Sequence, residues 1–81
     1  IRTGRSGIAL DARTRMMYDA AHVFINGESY RAKGADANLM RKLADRRRLA
    51  AGELRKTSAS ALALLNDWHD AGWLRQVSMK V

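Results

Sequence analysis

Asn26-Gly27 stands between two runs of strand-forming residues, His22-Val23-Phe24-Ile25 and Glu28-Ser29-Tyr30-Arg31, and this arrangement restricts the fold more than any other feature of the chain. A two-residue hairpin loop of the type I′ form needs positive φ at both central positions, which Asn and Gly tolerate. The loop sets the register: Ile25 faces Glu28, Phe24 faces Ser29 and Val23 faces Tyr30. Strand alternation then puts Val23, Ile25 and Tyr30 on one face, predicted to pack on the core. Upstream, Ser6–Leu10 carries the short apolar run Ile8-Ala9-Leu10 and reads as a strand. Asp11-Ala12-Arg13 reads as a turn, Arg15-Met16-Met17-Tyr18 as a second strand and Asp19-Ala20-Ala21 as a connection. The expectation is an N-terminal antiparallel meander ending in the hairpin.

After Lys33-Gly34 the apolar period changes from two to about 3.6, the signature of helix. Asp36 is predicted to cap a first helix that carries Leu39, Met40, Leu43 and Ala44. Arg46-Arg47-Arg48 is predicted in its last turn, where cations complement the helix dipole. Leu49 then returns to the core. Ala51–Lys56 reads as a short second helix, anchored by Leu54 and weakened by Gly52. Thr57 or Ser58 is placed to cap a third helix with Ala61, Leu62, Leu65, Trp68 and His69 on its stripe, widened by Leu64. Gly72 is a suitable left-handed stop. Trp73–Val77 reads as a last strand. Residues 1–5 are expected to be a linker, residues 6–77 one domain and residues 78–81 a frayed tail. The fold class is α+β: strands, three helices and a short final strand. The helix pair around Lys56-Thr57-Ser58 followed by a strand points to a winged-helix arrangement.

The length of 81 residues allows one domain with one core and little room for a deep pocket. No stretch is long and apolar enough to span a membrane, and the N-terminus lacks the apolar region of a signal peptide. The first residue is Ile1, so the sequence is expected to be a piece of a longer protein. There is no Cys, which excludes thiolate catalysis and Cys-based zinc sites and fits a reducing cytoplasm.

Catalysis needs clustered titratable groups, and here the eight carboxylates are scattered. Asp67 and Asp70 flank His69 on one helix, an acid/base arrangement on paper, but a solvated helix face explains them better. His22 and His69 lack metal-ligand spacing. The chain therefore reads as a non-catalytic binding or bracing domain with no metal and no cofactor of its own.

The net charge of +7 calls for an acidic partner. Residues 41–56 hold Arg41, Lys42, Arg46, Arg47, Arg48, Arg55 and Lys56 against Asp45 and Glu53, a net of +5. Such a segment suits phosphates, and a nucleic-acid-binding winged helix using it is the alternative reading. The helix that would enter a DNA groove, Ala59–Ala71, contains no Lys or Arg and carries Asp67 and Asp70. A net charge of −2 there opposes DNA reading.

Several segments resemble one family in order and spacing. They are Met17–Asp19, His22–Glu28 with its Val-x-x-Asn-Gly-Glu hairpin, Leu39–Asp45, Leu49, and Leu64–Leu74 with the ending Trp68-x-x-Ala71-Gly72-Trp73. Over roughly residues 8–75 the chain resembles the C-terminal region of bacterial cupin-type (JmjC-like) ribosomal oxygenases. The resemblance implies a parent with an iron(II)- and 2-oxoglutarate-dependent cupin domain, a helical dimerisation domain and a C-terminal winged helix. This chain corresponds to the last. The parent would be a homodimer that hydroxylates a ribosomal protein. The family's His-x-Asp/Glu iron motif is absent here, since His69-Asp70 is adjacent, so no catalytic residue carries over. The implied role is accessory: packing on the parent's catalytic and dimerisation domains and helping to present the protein substrate. The expected contact residues are Asp67 and Asp70 toward a basic protein, and Arg46, Arg47, Arg48, Arg55 and Lys56 toward RNA or the parent's own surface.

Overall fold

A computed structural model describes residues 6–78 of the chain, and the expected linker, 1–5, and most of the expected tail, 79–81, lie outside them. The strands are β1 (Ser6–Leu10), β2 (Met16–Tyr18), β3 (His22–Ile25), β4 (Glu28–Arg31), β5 (Arg48–Leu49) and β6 (Leu74–Ser78). The helices are α1 (Gly34–Arg46), α2 (Ala51–Arg55) and α3 (Ala59–Asp70). Two three-stranded antiparallel sheets result, β2-β3-β4 and β5-β1-β6. The α+β class and the winged-helix layout are as expected.

The hairpin has the anticipated register, with Val23 opposite Tyr30, Phe24 opposite Ser29 and Ile25 opposite Glu28. Asn26 and Gly27 both take positive φ, 47° and 87°. Asn26 also accepts the Arg15 amide through its side chain at 2.9 Å, which ties the turn to the head of β2. Val23 and Ile25 are buried, and Tyr30 packs its edge against Trp68, ring centroids 5.6 Å apart.

The meander itself differs from expectation, because β1 is not part of it. β1 crosses to the helical end of the chain and lies between β5 and β6, with Ile8 opposite Leu49 and Ser6 opposite Ser78. In a winged helix the third strand of this sheet returns from the second through the wing hairpin. Here a strand from the N-terminal side occupies that place. The two-residue strand β5 was not anticipated; it forms because burying Leu49 against Ile8 brings the adjacent backbone beside β1. β6 reaches Ser78, so that residue is paired rather than frayed.

One core lies between the sheets and the helices. Its largest fully buried side chain is Trp68, with Ile8, Ile25, Leu43, Leu49, Leu54 and Leu65 around it. Burial of a Leu or Ile side chain stabilises by about 2 kcal/mol, so these residues dominate the energetics of the fold. Ser58 caps α3 by accepting the Ala61 amide at 3.1 Å. The far end closes as a Schellman motif, with Trp73 N–H on the Trp68 carbonyl, Gly72 N–H on His69 and Gly72 at φ 82°.

Three local expectations are corrected. Lys33, not Asp36, stands at the cap of α1; Asp36 lies in the first turn, where its carboxylate accepts the Ser58 hydroxyl at 2.9 and 3.0 Å. Arg46, Arg47 and Arg48 do not share a turn. Arg46 ends α1, Arg47 is its left-handed cap with φ 62°, and Arg48 begins β5. Lys56 is the cap of α2 and not a member of it.

Candidate interaction surfaces

The sequence-predicted contact residues separate onto different parts of the surface. Asp67 and Asp70 are both exposed on α3, in line with Ser60 and Ala63 at helical spacing of three and four. This outward ridge is small at its start and acidic at its end, and Ala59–Asp70 contains no Lys or Arg. Asp70 is beside His69, whose Nδ1 lies 3.7 Å from the carboxylate. A nucleic-acid backbone meets no cation on this ridge. A cationic protein surface would meet two exposed carboxylates.

The basic residues are only partly brought together, and each cation has a different task. Arg47 is a brace. Its guanidinium donates to the carbonyls of Asp11 at 2.8 Å and Thr14 at 2.9 Å. Its own carbonyl accepts the Leu10 amide and its amide bonds the Leu43 carbonyl. Arg41 lies over the Tyr18 ring, 5.8 Å from its centroid, and reaches the Ala20 carbonyl. Arg48 is exposed on the edge strand β5.

Lys42, Arg46, Arg55 and Lys56 converge from α1 and α2. Lys42 Nζ and Arg46 Nη1 each stand 3.6 Å from the carboxylate of Glu53. Lys42, Glu53, Arg55 and Lys56 line a groove of about 570 Å³ between the two helices, with Leu39, Ala35, Ala50 and Gly52 among its walls. Glu53 holds its place through the Ala50 amide, which donates to Oε1 at 3.2 Å, while Oε2 is buried without a hydrogen bond. The spacing of Lys42 and Arg46, one helical turn apart, was legible in the sequence. The convergence of α2 on that face was not, because it depends on the chain reversal at Arg47.

A further surface was not anticipated as a contact site. The outer face of the meander carries Met17, 68% exposed, in register with Phe24. His22 stands beside Phe24, ring centroids 6.1 Å apart, and its Nδ1 lies 3.4 Å from Asp19. On the opposite face, Tyr18 donates to both oxygens of Asp45, at 3.1 and 3.0 Å. That bond to a carboxylate holds the Tyr18 phenol above its ordinary pKa.

Among the described residues no group of three or more His, Asp or Glu side chains is placed to hold a metal ion, and no helix is long and apolar enough to cross a membrane.

Comparison with known proteins agrees with this architecture. The protein-family model described as ROXA-like winged helix matches residues 2–75. No curated protein and no solved structure matches the chain.

Proposed function

Given that the chain belongs to the ROXA-like winged-helix family, we propose that it serves as an accessory domain of an iron(II)- and 2-oxoglutarate-dependent protein hydroxylase. In this reading it packs on the parent's catalytic and dimerisation domains in the cytoplasm and helps to present a basic ribosomal protein. The parent is a homodimer. The observation that carries the reading is the α3 ridge. The helix that reads DNA in other winged helices here exposes Asp67 and Asp70 and has no cation of its own. A carboxylate ridge repels phosphates and attracts the Lys- and Arg-rich surface of a ribosomal protein.

The iron and the 2-oxoglutarate do not fit the residues present. The chain lacks His-x-Asp and His-x-Glu, and its two His lie on different elements, β3 and α3. Both cofactors are therefore assigned to the parent's cupin domain, and no chemical step runs through this chain.

The alternative, a nucleic-acid-binding module using residues 41–56, has weaker support. Arg47 is committed to backbone carbonyls, and Glu53 partly offsets the charge of Lys42 and Arg46.

The experiment is charge reversal in the parent enzyme. D67K with D70K should lower turnover of the whole ribosomal protein roughly tenfold, about one charge-assisted contact's worth. Turnover of a short peptide carrying the modified residue should not change. Equal turnover of the whole protein by variant and wild type would remove the presentation role.

A further inference from the structure

The groove between α1 and α2 has a chemistry of its own, independent of the α3 ridge. Its rim is cationic, with Lys42 of α1 and Arg55 and Lys56 at the end of α2, and Arg46 reaches Glu53 from one turn further along α1. The apolar part of its walls is half-buried Leu39 with Ala35, Ala50 and Gly52; the polar part is Asn38, Thr57 and Asp36, whose carboxylate is taken up by the Ser58 hydroxyl. No aromatic side chain lines it, so it offers no platform on which a base could stack. Cations around an apolar trough suit a chain that brings carboxylates and an aliphatic anchor together.

Of the two carboxylates that line the groove, Glu53 is the one beside its cations. Glu53 stands 3.6 Å from both Lys42 and Arg46, too far for strong hydrogen bonds to either. Its Oε1 is engaged by the Ala50 amide, and its Oε2 is buried without a hydrogen bond. The two cations remain substantially exposed, with side chains 50% and 60% accessible. They are neutralised only loosely. Lys56 has no carboxylate partner among the described residues.

We propose that the α1–α2 groove is a docking site for an acidic segment of a partner protein, anchored by an aliphatic residue against Leu39, and that Glu53 is the internal carboxylate this segment displaces from Lys42 and Arg46. Glu53 keeps its bond to Ala50 during the exchange, so α2 need not unwind. Because the resident carboxylate competes with the incoming ones, it also sets a threshold: only a segment with several carboxylates, or a well-placed anchor, outcompetes it.

The test is fluorescence anisotropy on the chain with a labelled short peptide of Glu residues interrupted by two Leu. A labelled poly-uridylate oligonucleotide is titrated in parallel. The peptide is expected to bind. E53Q, which retains the acceptor for Ala50 and removes the competing charge, should tighten it by roughly three- to tenfold. K56E should weaken it roughly tenfold, and L39A by a similar factor through the lost anchor. Amide chemical-shift mapping on the unsubstituted chain should place the peptide on α1 and α2, whether or not each variant folds. Three outcomes overturn the proposal: no peptide binding, mapped shifts away from α1 and α2, or tighter binding of the oligonucleotide with indifference to L39A, which would make the groove a phosphate-binding cleft.

Discussion

The Ser58 hydroxyl donates to the Asp36 carboxylate while its oxygen accepts the Ala61 amide, so one side chain caps α3 and pins it to the first turn of α1. The two residues are 22 apart in sequence, and their bond is the polar seam between the first and last helices. S58A should destabilise the chain by about 1 to 2 kcal/mol, the range of a lost N-cap. D36A should cost less. A double-mutant cycle in urea should show a coupling of about 0.5 kcal/mol or more, whereas additive losses would mean that the cap works without its partner.

Arg47 pairs a left-handed backbone with two long-range hydrogen bonds, and these oppose each other when the residue is replaced. R47A retains the cost of a left-handed Cβ, about 1 kcal/mol, and loses both side-chain bonds. R47G loses the bonds but removes the backbone cost. The expected stability order is wild type, then R47G, then R47A, with R47A down by about 2 kcal/mol in thermal or urea unfolding. An R47A chain as stable as wild type would show that the guanidinium braces nothing.

Gly27 has φ 87° and open space where a Cβ would stand, so the penalty for a side chain is conformational alone. G27V should destabilise by about 1 to 2 kcal/mol, because a β-branched residue tolerates the left-handed region poorly. G27N should cost markedly less, since Asn visits this region. Melting temperatures of the two variants check the order.

Two exposed groups contribute to opposite pH limits. Asp19 is held below its ordinary carboxyl value of 3.8 by the amides of Ala21 and then His22. Its folded pKa is depressed, so its contribution is present above that ordinary value and is lost as pH falls through the folded one. Tyr18 is held above its ordinary 10.0 by its bond to Asp45. Its contribution is present below 10.0 and is lost as pH rises through the raised value. Tyr30, raised by its bond to Glu28, and Asp11, lowered by the Arg13 amide, act in the same directions. Y18F should therefore reduce the alkaline limb of stability and D19N the acid limb without abolishing either, each leaving the other unchanged. Salt should shrink both effects, since both groups face solvent.

Local chemistry made part of this molecule legible in its sequence. The Asn26-Gly27 turn dictates its own register, and the caps at Ser58 and Gly72 are short-range demands of helix ends. The departures all lie where distant segments meet. Ile8-Ala9-Leu10 reads as a strand, but no local signal says that its neighbours are Leu49 and Leu74 rather than β2. Arg46-Arg47-Arg48 reads as uniform positive charge. The structure divides it into an ion pair, a brace and an exposed edge, because the backbone reverses at Arg47, where sequence statistics expect Gly or Asn. Among the candidate contact residues, Asp67 and Asp70 share a face by helical spacing alone. The groove needed α2 to fold back over α1.

The pairing of Ser6 with Ser78 puts the outer ends of β1 and β6 side by side. Tension applied through the flanking residues would act across the strands and not along them. It would open the ladder one hydrogen bond at a time from Ser6 toward Leu10, like a zipper. Pulling from those two points is thus a direction of low mechanical resistance, and the strand it frees first is β6, whose one partner in the sheet is β1.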